Sequence, residues 1–122
     1  MTPNRPLALF AALNGAMAVA LGAFAAHGAG PQVKSLLTTG AHYQGLHAML
    51  ALVCALALPS RLGRAAGWCA GVGGLVFALA LSAIALADLR TMGAVAPIGG
   101  VLMIGSWLLL ALAFARPARP PA

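Results

Sequence analysis

Charged side chains are the scarcest class in this sequence: they make up 7% of its 122 residues, and a single acid, Asp88, stands against seven Lys and Arg. Soluble domains carry roughly 25% charged residues, because a surface in water needs them. A chain this poor in charge has no means of covering itself against water, so its outer surface faces an apolar medium. One acid also excludes a catalytic carboxylate pair, and no Ser stands in a GxSxG elbow, so acyl-transfer and hydrolase chemistry lack their residues. Cysteine is scarce too. Cys54 and Cys69 lie inside apolar runs with no CxxC, which removes a thioredoxin-like pair and a zinc knuckle and leaves two small apolar fillers. The formal charge of +6 does not point to nucleic acid, because the basic residues are scattered singly or in pairs and no basic face with interleaved aromatics forms.

Apolar residues are abundant instead, 62% of the chain, with a mean hydropathy of +0.99. They gather in four runs, Leu7–Ala26, Tyr43–Leu58, Ala65–Leu86 and Ala94–Ala115. Each is near the roughly 20 residues that cross a hydrocarbon core about 30 Å thick. The runs are apolar on every side and rich in Ala and Leu, where membrane strands would alternate. The expected fold is all-α: a single transmembrane domain over residues 1–122, a membrane-spanning four-helix bundle. The first run follows Arg5 and contains Ala23-Phe24-Ala25, which imitates a signal-peptidase site. Its core is longer than the typical 7–15 residues, roughly, of a signal peptide, so it reads as a span.

Four spans place both termini on one side. That side carries Arg5, Arg61, Arg64, Arg116 and Arg119, and the other only Lys34 and Arg90. Over short loops this imbalance predicts an N-in, C-in orientation. Asp88 falls in the tight outer turn, where headgroups spare it the cost of the membrane centre and Arg90 neutralises it. The outer segment from His27 to His42 is the one sizeable connection. Within it Pro31 sits at a first helical position and Gly40 at a stop, with Val33, Leu36 and Leu37 on one face. This predicts a short helix lying on the outer surface between the first two spans.

Lipid tails are as apolar as leucine, so helices associate in a bilayer through small residues that let backbones approach. Ala11, Gly15, Ala18, Gly22 and Ala25 make one such stripe on the first span, and Gly63, Gly67 and Gly71, extended by Gly74, make another on the third. On the fourth, Gly99 and Gly100 follow Pro97, whose missing N–H kinks or delays the helix.

Few polar residues lie within the runs. Asn14 is about 10 Å into the first span and is expected to bond to another helix. Tyr43, Gln44 and His47 share one face of the second span, and His27, closing the first, reaches their level if the two helices pack antiparallel. The candidate site is this cluster of His27, Tyr43, Gln44 and His47: a hydrogen-bond network locking two helices, or a site for a proton, a quinone-like headgroup or a metal. A metal held by the histidines alone is disfavoured, since His42 and His47 stand about 140° apart around a helix. No cofactor and no metal are expected.

Three segments resemble a known family. Leu21-Gly22-Ala23-Phe24-Ala25-Ala26-His27-Gly28 is similar to the GAFGAHG signature of the YgdD-like small inner-membrane proteins, and Tyr43-Gln44-Gly45-Leu46-His47-Ala48 to their YQxxHAL segment. Gly93-Ala94-Val95-Ala96-Pro97-Ile98-Gly99-Gly100 resembles their GxxTPIGG stretch, with Gly105-Ser106-Trp107 as the GxW that follows. The motifs run in order across nearly the whole chain. The resemblance implies four helices and a multi-pass bacterial inner-membrane location. The family is a domain of unknown function with relatives among small eukaryotic transmembrane proteins, so it implies no activity. This chain departs from it at Phe77-Ala78-Leu79-Ala80-Leu81-Ser82, where FSGSLY is common, and at Ala96, where Thr precedes the proline.

Three classes of function fit: a non-enzymatic accessory or structural bundle of a larger membrane assembly, a small oligomeric transporter or channel, and a His-based cofactor-, quinone- or metal-binding protein. The first suits a chain without a catalytic set. Small multidrug exporters share the size but need a membrane-embedded carboxylate, and the first three runs hold none. Partners expected are the bilayer and either a larger complex or further copies of the chain.

Overall fold

The structure, a computed structural model, describes residues 2–28 and 30–117. Among them are four α-helices, α1 (Arg5–Gly28), α2 (Pro31–Ala57), α3 (Arg61–Ala87) and α4 (Ala96–Ala115), and a 3-10 turn at Arg90–Ala94 that leads into α4. Local chemistry sets their ends. Asn4 Oδ1 accepts the Leu7 N–H at 3.3 Å, and the Ser60 hydroxyl accepts the Gly63 N–H at 3.1 Å, so two helices begin with a side-chain cap. Pro31 opens α2 and Pro97 lies in the first turn of α4, where a missing N–H costs nothing. α3 stops at Asp88, whose left-handed backbone (φ 53°) is one that Asp tolerates better than a bulky residue. Its carboxylate meets Arg90 Nε at 3.4 Å, both side chains exposed.

α1, α3 and the segment Arg90–Ala115 are long and apolar enough to cross a membrane. α2 matches α3 in length, but His42, Tyr43, Gln44 and His47 make its middle more polar.

The outer-surface helix is not a separate element. Residues 31–42 are the first part of α2 itself, and α1 ends at Gly28, so the described residues contain no long connection between the two helices. The apolar side of this segment docks on protein rather than on a membrane surface: Leu37 is buried, and Leu36 packs against Ala80, Leu81 and Ala96. Gly40 is no stop. A Cβ added there would lie 3.3 Å from the Ala78 Cα, so the glycine is one of two points, with Gly74 against Gln44, where the backbones of α2 and α3 almost touch.

Close packing runs from α1 to α2, α2 to α3 and α3 to α4, with a smaller contact between α1 and α3 and none comparable between α1 and α4. The helices therefore form an open row. Leu7, Ala11, Ala51, Cys54, Ala55, Ala66, Ala70 and Leu110 fill one core cluster, small side chains throughout except the two leucines. The expected packing positions divide. A Cβ on Gly67 would come within 2.8 Å of Cys54 Cβ, one on Gly71 within 2.8 Å of the Phe10 ring, and one on Gly99 within 2.7 Å of the Gly73 carbonyl oxygen. Gly63 instead fits the turn between α2 and α3 against Leu58, and Gly22 makes only an ordinary contact with Ala41. Gly15 and Gly100 have nothing within 4 Å of an added Cβ, and Pro97 is exposed, so these three do not pack helices together. On α1 the buried positions are Leu7, Ala11, Asn14, Ala18 and Ala25. The 3.6-residue period carries the contact line through Asn14 and leaves Gly15 beside it.

Candidate functional site

Two hydrogen-bonded links cross the middle of the bundle, and α2 supplies both. In the first, Gln44 Nε2 donates to Asn14 Oδ1 at 2.9 Å, joining α2 to α1, while Asn14 Nδ2 donates to the Phe10 carbonyl at 3.2 Å. Both side chains are buried, and Gln44 Oε1 has no protein partner. The interhelical bond expected of Asn14 is present. In the second link, His47 Nδ1 lies 2.7 Å from the Tyr43 carbonyl one turn back. A carbonyl only accepts, so this bond assigns the ring proton to Nδ1. Nε2 is then an acceptor, and Trp107 Nε1–H donates to it at 3.1 Å, joining α2 to α4. Both His47 ring nitrogens are thus engaged. Ser106, also buried, donates to the Met103 carbonyl of its own helix at 2.6 Å.

The second link lines a partly open cleft of about 730 Å³ between α2 and α4, to which α3 contributes Phe77. Four rings surround it: Tyr43 meets Phe77 edge-on at 5.5 Å between centroids, His47 meets Trp107 edge-on at 6.0 Å, and Tyr43 stacks on His47 at 6.5 Å. Thr39 lies at one edge, and Gly100 keeps the α4 wall bare.

Of the four candidate residues, three share α2 without forming one cluster. Gln44 turns to α1 and His47 to α4, while Tyr43 belongs to the cleft wall. His27 is not among them. It is exposed in the last turn of α1, level with the start of α2. Tyr43 stands twelve residues beyond Pro31, about 18 Å further along the helix axis. Reading residues 27–42 as a loop placed His27 and Tyr43 at one depth; continuing α2 to Pro31 separates them. It also moves the polar set from beneath the outer surface to mid-bundle, with Gln44 fourteenth of the 27 residues of α2. His42 is exposed and touches the Tyr43 ring. Trp107 is the residue that sequence reasoning passed over as a partner, although an indole N–H inside an apolar span needs an acceptor.

Among the described residues, then, polar atoms in the interior occur where helices meet, and the outward faces carry large apolar side chains such as Leu9, Val19, Met49, Ile104 and Leu108. That distribution defines a multi-pass α-helical membrane protein. The family described as a protein of unknown function (DUF423) matches residues 21–100. The UPF0382 inner membrane protein YgdD of Escherichia coli K12 is 32% identical over 95% of this chain and 94% of its own length. A UPF0382 membrane protein of Staphylococcus epidermidis is 38% identical over 86% of this chain and 91% of its own, and YwdK of Bacillus subtilis, also a UPF0382 membrane protein, is 31% identical over 86% and 92%. The chain belongs to this DUF423/UPF0382 family of membrane proteins. No solved structure matches it.

Proposed function

We propose that the protein is a non-enzymatic bundle of the bacterial inner membrane, oriented N-in, C-in, that serves as an accessory or structural subunit of a larger membrane assembly. One observation carries this reading: each buried polar side chain makes a hydrogen bond inside the bundle, and most of these bonds join helices. Asn14 and Gln44 tie α1 to α2, His47 and Trp107 tie α2 to α4, and Ser106 is bonded to its own helix. No nucleophile–base pair is left in the described interior. The open row suits a subunit, because among the described residues α1 and α4 are not packed against each other. The orientation rests on charge: Arg5, Arg61, Arg64 and Arg116 share one end, against Lys34 and Arg90 at the other. Purification in mild detergent from its native membrane is expected to yield a colourless protein that co-elutes with a defined membrane partner. A stoichiometric chromophore or metal would overturn the reading.

A second reading is favoured by the aromatic cleft: a protein that holds a ring-bearing amphiphile from the bilayer, a quinone-like molecule among them. Tyr43, His47, Phe77 and Trp107 offer it stacking faces, and the Tyr43 and Thr39 hydroxyls offer it donors. Trp107 emission should then be quenched saturably by a short-chain quinone, and Tyr43→Ala should abolish that saturation. Quenching that stays linear with concentration speaks against a site.

A further inference from the structure

At the opposite pole from Asp88, the first residues of α1, the end of α2 and the start of α3 enclose a second cleft, of about 510 Å³. Arg5 and Arg64 both line it, together with Asn4, Pro6, Leu58 and Pro59. Neither guanidinium has an acidic side chain to answer it. The chain holds one Asp or Glu, and that residue, Asp88, is bonded to Arg90 at the far end of α3, about 40 Å away along a 27-residue helix.

The walls are set in advance of any ligand. The Asn4 N–H donates to the Ala55 carbonyl at 2.9 Å and ties the chain's first turn to the end of α2. Pro6 and Pro59 restrict their own backbones. The Asn4 and Ser60 side chains are committed to capping α1 and α3, so they do not compete for the arginines. Two cations therefore stand over a partly apolar cleft, at the end of the bundle where the membrane-capable helices α1 and α3 begin. A guanidinium offers paired N–H donors that match phosphate oxygens, and the Leu58 side of the cleft suits the glycerol and first methylenes that a free ion lacks.

We propose that this cleft binds the phosphate of an anionic lipid headgroup, with Arg5 and Arg64 as its two clamping residues. The site is independent of the accessory reading and requires only that the bundle sits in a membrane.

The test uses the full chain in a neutral detergent, titrated with phosphatidylglycerol and, separately, with phosphatidylcholine, and followed by native mass spectrometry and thermal melting. One phosphatidylglycerol per chain should be retained and should raise the melting temperature, while phosphatidylcholine does neither. The double variant R5Q/R64Q should weaken retention at least tenfold with helicity unchanged. Arg61→Gln, at the same end but outside the cleft, should stay within twofold of the parent. Should the double variant fail to fold, R5Q and R64Q singly must each weaken retention. Unchanged retention in these variants overturns the site, and so does an equal loss in R61Q, which would mean diffuse attraction to a basic surface. Inorganic phosphate is the third arm: it should not displace the lipid at millimolar concentration, and saturation by phosphate alone would overturn the lipid assignment.

Discussion

Asn14 and Gln44 are bonded to each other but are not equivalent. Asn14 uses both ends of its amide, whereas Gln44 leaves Oε1 buried without a protein partner. Replacing Gln44 by Met removes that orphan acceptor but takes the donor from Asn14 Oδ1, so one unpaired oxygen is exchanged for another and the net cost is close to that of the single bond. Replacing Asn14 by Ala strands the whole Gln44 amide in an apolar interior, where an unpaired group costs about 1–3 kcal/mol. Asn14→Ala should therefore destabilise the bundle by about 1–2 kcal/mol, and Gln44→Met by less than about 1 kcal/mol, on unfolding in mixed micelles. Equal costs would contradict the bonding pattern. The His47–Trp107 link makes a separate prediction. Trp107→Phe keeps a ring in place and loses only the N–H, so it should cost about 0.6 kcal/mol, the average for such bonds in membrane helices. A double-mutant cycle with His47→Leu should return that coupling, and additivity would show that the bond contributes nothing.

Among helices, the glycines separate close packing from open surface. At the α3–α4 crossing, a Cβ on Gly99 would lie 2.6 Å from the Phe77 backbone nitrogen and 2.7 Å from the Gly73 oxygen. Backbone does not yield as a side-chain tip does, so Gly99→Ala must push two helices apart. We expect a loss of about 1–3 kcal/mol, as for an overpacked core, seen as a lower melting temperature in detergent. Gly15→Ala and Gly100→Ala meet nothing within 4 Å and should leave the melt within about 0.5 kcal/mol of the parent. A GxxxG reading of sequence alone does not distinguish these positions, because it counts spacing and not what lies opposite.

For the whole molecule, charge distribution sets the expected orientation. A green fluorescent reporter fused after Ala122 should be bright, because it stays in the cytoplasm, and alkaline phosphatase at the same site should be inactive. The reverse pattern would overturn N-in, C-in. Neutralising Arg5, Arg61 and Arg64 together should produce a mixed population, since Lys34 and Arg90 would then be matched only by Arg116 and Arg119. The open row has its own consequence: with α1 and α4 not packed on each other, lipid or another protein covers their free flanks.

How much of this was legible beforehand follows from the physics of each feature. The membrane as solvent, an all-helical chain and the Asp88–Arg90 turn are matters of composition, run length and near neighbours, which transfer energies decide locally. The Asn14 bond was readable for a related reason: a deep amide in an apolar span needs a partner, and few exist. The depth of Gln44 and His47, the isolation of His27, the Trp107 acceptor and the roles of Gly15 and Gly40 were not. Each depends on where α2 begins and on how it slides against its neighbours. In lipid, apolar surface gains nothing by choosing one helix over another, so that register is decided by backbone approach at a few glycines, and only the assembled bundle reveals which ones.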